Sequence, residues 1–429
     1  MFINNKHNTN QLEHFIHAVR SDPENFGQKS FVVIGVHGWF PMKLVRSMVG
    51  EPTGTSARFC EMMVLSLKRY FETEHQLTIP DQCITVIPLE WEGKVEDRVE
   101  NLYRILLENE AWVTALKAAD MVLWATHSQG TPVSTMLLHK LIDAAYIQVP
   151  RQSVCLLAMA GISHGPFPYL KGSIIVKYFE ADAARELFDF MDSNSDISTK
   201  FRMSMAYILR QNVKTVLVGS MQDQVVPLYS AIMSGTSHPN ILRAIYIDGH
   251  IFSENDFLIN LITLALRLRN AGFSDHGLLT HISEVLAGNL YSWEGGHSTI
   301  YDELGVYTIA IRYLFETQPL GKRKLMEPRS PASTVAAGAA VASSNHVTPR
   351  TTKVAAVEPK LDQFNAKVRL NPFYLPWAMR GIYDDARVQG DEFFHRELLR
   401  LQDLFDRWQP SSSKLKEIKF RLEPLKARL

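Results

Sequence analysis

The sequence predicts an α/β three-layer sandwich built on a mostly parallel sheet. Short, continuous apolar runs rich in β-branched residues alternate along the chain with amphipathic stretches of helical length. Such apolar runs indicate strands that are buried on both faces. Strands that alternate with helices need crossover connections, which produce a parallel sheet covered by helices on both sides. The 429 residues, 46% of them hydrophobic, suffice for one large core with additional segments.

The predicted strands and helices follow one another in a regular order. The clearest strand covers residues 30–36 (SFVVIGV), and further strands are predicted at 84–88, 121–125, 153–158, 215–218 and 243–247. Helical patterns lie at 10–20, 57–71, 94–118, 131–145, 181–187, 200–209, 256–269, 278–286 and 300–315. We expect a sheet of about seven or eight strands in total.

Composition narrows the class of protein. The formal net charge is +0, which argues against a nucleic-acid partner. Three cysteines without paired spacing indicate neither a disulfide framework nor a zinc site, and they favour a reducing, cytoplasmic compartment. The sequence shows neither the apolar segment of a secretory signal nor a run long enough to cross a membrane. We expect no metal and no cofactor, and the oligomeric state stays open.

The composition changes at Gln318. Residues 318–356 are rich in Pro, Ala, Ser and Thr, which predicts a disordered linker that we extend to residue 360. Residues 361–429 are aromatic and charged, with a helical pattern at 391–408. This extension either packs back on the core or binds a partner. Its Phe373, Trp377 and nearby basic residues also suit peripheral contact with a lipid surface. The predicted division is therefore a domain of residues 1–317, a linker of 318–360 and a helical extension of 361–429.

The segment with the clearest chemistry is MVLWATHSQG, residues 121–130, in which an apolar strand runs into Thr-x-Ser-x-Gly. A serine on a tight strand-to-helix turn, with small residues two positions to either side, is a nucleophile elbow. The turn strains the backbone at Ser128 and lifts its hydroxyl clear of the sheet edge. Ser128 is therefore the candidate nucleophile, and His127 is expected to pack beside it rather than act as a base.

A nucleophilic serine needs a base and an acid that orients the base. Asp223 follows the strand at 215–218 after a short turn and is the candidate acid. His297 is the favoured base, because two glycines precede it and the closing helix follows it. His250, directly after the last predicted strand, is the alternative base. If His297 is the base, residues 250–293 form a helical insertion between that strand and the base loop.

The developing oxyanion needs hydrogen-bond donors from two loops. One is predicted to be the backbone N–H of Gln129, the residue after the nucleophile. The other is the N–H of Trp39, or less favourably of Phe40, in the loop that follows the first strong strand. Residues 156–170 are expected to line a cleft with apolar surface, in which His164 has a structural role. Residues 179–201 are a candidate cap over that cleft.

With Ser128, Asp223 and His297 in this order, and His37-Gly38 upstream, the chain resembles the α/β-hydrolase superfamily over about residues 28–317. Its lipase and esterase branches are the most similar, and the chain also resembles a fungal family with the same elbow, Asp-Gln-Val-Val-Pro segment and Gly-Gly-His-Ser loop. Two features depart from the commonest pattern: Thr126 stands in place of the first elbow glycine, and an insertion precedes His297.

The resemblance implies a serine hydrolase that cleaves carboxylic esters, with a lipid-like or hydrophobic acyl group, through an acyl-enzyme. Thioester hydrolysis and acyl transfer use the same three residues and stay open. A non-catalytic scaffold of the same fold is the competing hypothesis, because fold alone does not fix activity.

Overall fold

The structure is a computed structural model that describes residues 19, 29–39, 55–172, 182–247, 253–286, 296–317, 357–366, 371–410 and 412–423. Several predictions from the sequence fall outside these ranges. They are the helix at 10–20 apart from Val19, Phe40, residues 179–181 of the candidate cap, the alternative base His250, residues 250–252 and 287–293 of the predicted insertion, and the linker up to residue 356.

A parallel sheet forms the centre of the molecule. Its six strands within the described ranges are β1 (Phe31–Val36), β2 (Ile84–Leu89), β3 (Met121–His127), β4 (Ser153–Met159), β5 (Lys214–Ser220) and β7 (Ile241–Tyr246). They lie in the order β2-β1-β3-β4-β5-β7, and all neighbours are parallel. A separate antiparallel pair joins β6 (Thr236–Ser237) to β8 (Lys360–Leu361). The predicted strands are therefore present, but the expected seven or eight exceed the six found in the described part of the main sheet.

The described residues contain fifteen α-helices. They are α1 (Thr55–His75), α2 (Val95–Glu108), α3 (Glu110–Ala118), α4 (Gly130–Asp143), α5 (Asp182–Glu186), α6 (Asp196–Arg210), α7 (Leu228–Ala231), α8 (Phe257–Asn270), α9 (Leu278–Leu286), α10 (Gly296–Thr299), α11 (Leu304–Glu316), α12 (Leu375–Asp384), α13 (Ala386–Gln389), α14 (Glu392–Arg407) and α15 (Ser413–Leu422). The single helix predicted at 94–118 is divided at Asn109, whose side chain accepts a hydrogen bond from the Trp112 N–H and starts a new helix.

Alternate side chains along β1 show why three layers form. Val32 and Ile34 belong to the apolar core under α2, α4 and α6, whereas Phe31 and Val33 belong to the core under α1 and α11. Each face of the sheet thus carries its own apolar core. The predicted three-layer α/β fold with a mostly parallel sheet is confirmed.

The C-terminal extension packs on the helices that follow β7. The Phe405 ring on α14 lies 5.0 Å from the Phe257 ring on α8, and the Trp408 ring lies 4.9 Å from it. Arg267 and Glu397 form an ion pair of 2.8 Å between the same two helices. Of the alternatives open for this segment, its described residues therefore adopt the one in which it packs back on the core. The division into three domains stays a prediction.

Candidate active site

The candidate site lies where the direction of the strand order reverses. Going along the chain, the sheet grows from β1 to β2 on one side and from β3 to β7 on the other. Loops that leave β1 and β3 therefore diverge and open a crevice at the carboxyl ends of these strands, where ligands bind in open α/β sheets. The His37-Gly38-Trp39 loop follows β1, and Ser128 follows β3.

Ser128 occupies the strained turn that the sequence predicts. Its φ is 53°, in the left-handed region that non-glycine residues avoid. Hydrogen bonds hold this conformation: the Ser128 N–H donates to the Met159 carbonyl at 3.0 Å, and the Ser128 carbonyl accepts from the N–H groups of Thr131 and Ile162 at 3.0 and 3.2 Å. The candidate nucleophile is thereby fixed between β4 and the first turn of α4.

Close backbone approaches explain the small residues around the elbow. A Cβ on Gly130 would lie 2.6 Å from the His37 carbonyl oxygen, so any larger residue would displace the loop after β1. Thr126 fits in place of the usual glycine because its hydroxyl donates to the Val36 carbonyl at 3.1 Å. A Cβ on Gly38 would lie 3.0 Å from the Ser128 Cβ. The loop after β1 thus lies directly against the candidate nucleophile.

The structure brings Asp223 and His297 together. One carboxylate oxygen of Asp223 accepts from the N–H groups of Val225 and Val226, both at 2.8 Å. The other lies 2.8 Å from Nδ1 of His297. Since a carboxylate oxygen only accepts, Nδ1 carries the proton, and Nε2 of the neutral ring is left as an acceptor. This is the tautomer that a base beside a serine requires.

His127 links the base loop to the elbow. Its Nε2 donates to the His297 carbonyl at 2.7 Å, and the two rings lie 4.5 Å apart. Burial lowers the pKa of His127 well below its usual value, which keeps the ring neutral. Because Ser128 is the next residue, this contact links the backbone of His297 to the elbow. His127 therefore packs at the site, in agreement with the sequence analysis.

Gly296 allows the base loop to approach the acid loop. A Cβ at this position would collide with Ser220 Oγ and lie 2.9 Å from the Gln222 Cβ. In the sequence, the two glycines before His297 suggest a loosened loop. The structure shows that Gly296 is needed for a steric reason, since no side chain fits between the two loops.

Arg98 is a residue of the site that the sequence analysis missed. It is fully buried on α2, and its guanidinium donates to the Gln129 side-chain oxygen and to the His37 carbonyl, both at 2.8 Å. The Gln129 side chain also donates to the Gly93 carbonyl at 3.1 Å. One signal was present in the sequence: Arg98 falls beside the apolar stripe of its helix, where a charged residue needs a buried partner.

The remaining candidates are placed as follows. Trp39, the last described residue after β1, is half-buried. His164 is buried, its Nε2 accepts from the Gly235 N–H at 3.2 Å, and its ring stacks on Phe364. Burial lowers the pKa of His164 to about 3. His164 therefore has the structural role expected of it.

The described residues contain neither a group of three or more possible metal ligands nor a helix long and apolar enough to cross a membrane.

Comparison with known proteins identifies the family. The family model described as the YMC0/YMC35 alpha/beta hydrolase domain matches residues 2–337. The chain belongs to this family. The predicted membership of the α/β-hydrolase superfamily is thereby confirmed. No curated protein matches the sequence.

Solved structures provide only distant likenesses. Phospholipase PlaB from Legionella pneumophila is 15% identical over 48% of this chain and 45% of its own, with a TM-score of 0.32. Its complex with thio-NAD is 14% identical over 48% of this chain and 44% of its own, with a TM-score of 0.33. A lipase-esterase related protein from Clostridium acetobutylicum ATCC 824 is 11% identical over 52% of this chain and 86% of its own, with a TM-score of 0.25. The chain covers less than half of PlaB, and likenesses this low carry no argument about activity.

Proposed function

We propose that this α/β hydrolase is a serine hydrolase that cleaves carboxylic esters with a hydrophobic acyl group. The observation that carries the proposal is the Asp223–His297 hydrogen bond of 2.8 Å, held by His127 beside the strained Ser128 elbow. A scaffold without catalysis has no use for a buried carboxylate that fixes one tautomer of a histidine next to a serine on a strained elbow.

The proposed reaction follows from the roles of these groups. Nε2 of His297 takes the proton from Ser128 Oγ as the oxygen attacks the ester carbonyl, and Asp223 stabilises the imidazolium that forms. The N–H groups of Trp39 and Gln129 donate to the oxyanion. His297 then protonates the departing alcohol, and a water molecule, deprotonated by the same ring, hydrolyses the acyl-enzyme.

An aromatic loop beside the acid supports a hydrophobic acyl group. After β4 the chain passes through Phe167, whose N–H donates to the Val225 carbonyl at 2.9 Å, and Tyr169, whose hydroxyl donates to the Gln224 carbonyl at 2.8 Å. The two rings stack at 5.3 Å. This loop is thus attached to the loop that carries Asp223, and apolar surface close to polar groups is typical of small-molecule sites.

A fluorophosphonate probe tests the proposal, because it reacts only with an activated serine. We expect the wild-type protein to be labelled and Ser128→Ala to be unlabelled. Ser204→Ala on α6, which removes another buried hydroxyl that contacts a histidine, His139 at 3.0 Å, is the matched control and should retain labelling. Equal labelling of wild type and Ser128→Ala would overturn the proposal.

Rates with p-nitrophenyl esters of increasing chain length then define the acyl preference. Added alcohol tests for acyl transfer, and a thioester substrate tests for thioester cleavage.

A second proposal concerns peripheral contact with a lipid surface. Phe373, Trp377 and Phe420 are 65%, 63% and 75% exposed on the C-terminal extension. Arg421 lies over the Phe373 ring at 4.7 Å, and Arg380 lies over the Trp377 ring at 5.9 Å. The sequence of α15, SKLKEIKFRL, carries four basic residues and one acidic residue. Exposed aromatic rings flanked by basic side chains suit the interface of a bilayer that contains anionic lipids.

Vesicle sedimentation tests this contact. The full-length protein should sediment with vesicles of phosphatidylcholine and phosphatidylserine, and less with phosphatidylcholine alone. Combined Phe373→Ser, Trp377→Ser and Phe420→Ser substitutions should abolish sedimentation. Met203→Ser removes an equally exposed apolar side chain on α6 and should leave it unchanged. Undiminished sedimentation of the triple variant would refute the proposed surface.

A further inference from the structure

The loop after β1 has two peptide groups whose orientation decides where its N–H groups point. In a trans peptide the C=O and N–H bonds point in opposite directions, so a hydrogen bond to the carbonyl also fixes the N–H. The His37 carbonyl accepts from Arg98 at 2.8 Å, which fixes the Gly38 N–H. The Gly38 carbonyl accepts from Nδ1 of the His37 ring at 2.5 Å, which fixes the Trp39 N–H. Both peptide planes are therefore held from their carbonyl side.

Arg98 contacts both walls of the predicted oxyanion hole. One guanidinium nitrogen donates to the His37 carbonyl, and another donates to the side chain of Gln129, whose backbone N–H is the second predicted donor. The planar guanidinium can direct two hydrogen bonds at fixed angles, whereas a lysine ammonium cannot reproduce this fork. Arg98 thus couples the loop after β1 to the elbow after β3.

Further contacts keep this arrangement rigid. The His37 N–H donates to Ser56 Oγ at 3.0 Å, and that hydroxyl donates to the Leu89 carbonyl at 2.8 Å. Burial, aided by the charge of Arg98, lowers the pKa of His37 to about 3, so the ring stays neutral. Burial also lowers the pKa of Arg98 to about 10, which leaves the guanidinium charged near neutral pH.

We infer that Arg98 and His37 are positioning residues, which orient the Gly38, Trp39 and Gln129 backbones so that their N–H groups can bind an oxyanion. This inference rests on the proposed function. Neither side chain needs to contact the substrate, because each acts through a backbone carbonyl or an amide side chain. A displaced donor weakens stabilisation of the transition state more than binding of the ester, so kcat rather than KM depends on these residues.

Ester kinetics with a matched arginine variant test the inference. We expect Arg98→Lys to lower kcat about 10²-fold or more, the loss typical of one oxyanion donor, with little change in KM. Arg243 is a buried arginine on β7 that donates to the carbonyls of Ile232, Met233 and Thr236, away from the site. Arg243→Lys should therefore lower the unfolding temperature without lowering kcat.

Two further variants keep the test decisive. If Arg98→Lys does not fold, Gln129→Met removes the side chain that Arg98 holds but retains the backbone N–H, and it too should lower kcat and the rate of fluorophosphonate labelling. A kcat within about twofold of wild type, for whichever variant folds, would overturn the inference. Ser128→Ala, measured in parallel, separates the two proposals. If Ser128→Ala is inactive and the Arg98 variant keeps its activity, only the positioning role fails. If Ser128→Ala keeps its activity, the proposed function fails as well.

Discussion

At the scale of single residues, the candidate site depends on how closely backbone segments approach one another. Gly38, Gly130 and Gly296 each bring a loop to a distance at which a Cβ would meet a neighbouring atom at 3.0 Å or less. The loops that carry the candidate nucleophile, the candidate base and the predicted oxyanion donors are therefore fixed by steric fit as well as by hydrogen bonds. A methyl group at one of these positions changes the geometry without removing any atom of the candidate site.

Gly296→Ala should lower kcat by about 10²-fold, because a displacement of the base by roughly 1 Å has a cost of this size. Gly305 is the matched control, since a Cβ there meets nothing within 4 Å. Gly305→Ala should leave kcat unchanged. Ester kinetics and thermal unfolding of both variants measure these effects. Full activity of Gly296→Ala would show that the base loop tolerates the shift.

Asp223→Asn should lower kcat by about 10⁴-fold while the protein stays folded. An asparagine oxygen can still accept from the Val225 and Val226 N–H groups, but its amide cannot accept from Nδ1 of His297, so the ring is no longer held in the required tautomer. Ester kinetics give the activity, and circular dichroism gives the folded state. Retained activity would mean that another group orients the base.

The sequence predicted the candidate site residues that follow strands, but it did not predict Arg98, which contacts their loops from α2. Ser128 and Asp223 stand out because each lies in the turn that follows an apolar run, and such positions meet at one edge of a parallel sheet. Arg98 lies on the apolar stripe of α2, beside Val95 and Val99, so its burial could have been inferred from the spacing. Its partners could not be inferred, because the His37 carbonyl and the Gln129 side chain belong to two other segments of the chain.

At the scale of elements, α11 is tied to the sheet by a buried lysine. Lys214, at the start of β5, donates from Nζ to the carbonyls of Tyr313 and Leu314 at 3.0 and 2.9 Å, and also to Thr317. The last carbonyls of a helix have no partner within the helix, so this side chain satisfies them. Burial lowers the pKa of Lys214 to about 8. The helix that follows His297 thus ends against the strand that precedes Asp223.

Lys214→Met should lower the free energy of unfolding by about 2–3 kcal/mol, because it removes the side-chain donor to the Leu314 carbonyl and leaves the Tyr313 carbonyl with the Thr317 hydroxyl alone. Lys140→Met is the control: it removes a partly exposed ion pair with Glu100, and such pairs contribute at most about 1 kcal/mol. Urea unfolding of the two variants measures the difference. Equal losses would show that water replaces the lysine at the helix end.

The order of elements could be predicted from the sequence, but their boundaries and pairing less so. Apolar runs identify the strands of the main sheet, since parallel strands are buried on both faces. The break at Asn109 was missed because the apolar pattern continues across it, and only the capping bond to Trp112 marks the new helix. The short β6–β8 pair joins segments far apart in the chain, a contact that periodicity does not reveal.

At the scale of the whole molecule, buried neutral histidines make the fold sensitive to acid. Burial lowers the pKa of His37 and His164 to about 3 and that of His127 well below its usual value. In the unfolded chain a histidine has a pKa of about 6.5. Between these values the unfolded state binds more protons than the folded state. The free energy of unfolding therefore falls as the pH falls from about 6.5 towards 3.

His164→Gln should reduce this dependence, because it removes one of the groups that take up a proton on unfolding, while the glutamine oxygen can still accept from Gly235. Urea midpoints of the wild type and the variant between pH 7 and pH 4 measure the two slopes. Parallel slopes would show that His164 is protonated in the folded protein, contrary to the effect of its burial.

The contacts between the C-terminal extension and the core also decide what happens if the chain is cut. Apolar rings on α8 and α14, the Arg267–Glu397 ion pair and the β6–β8 pair all join residues before 318 to residues after 356. A backbone cleavage between these two positions would break none of them. Residues 1–340 and 341–429, produced as two separate polypeptides in one cell, should therefore assemble and purify together. Ester hydrolysis, if it needs both polypeptides, would then report their assembly.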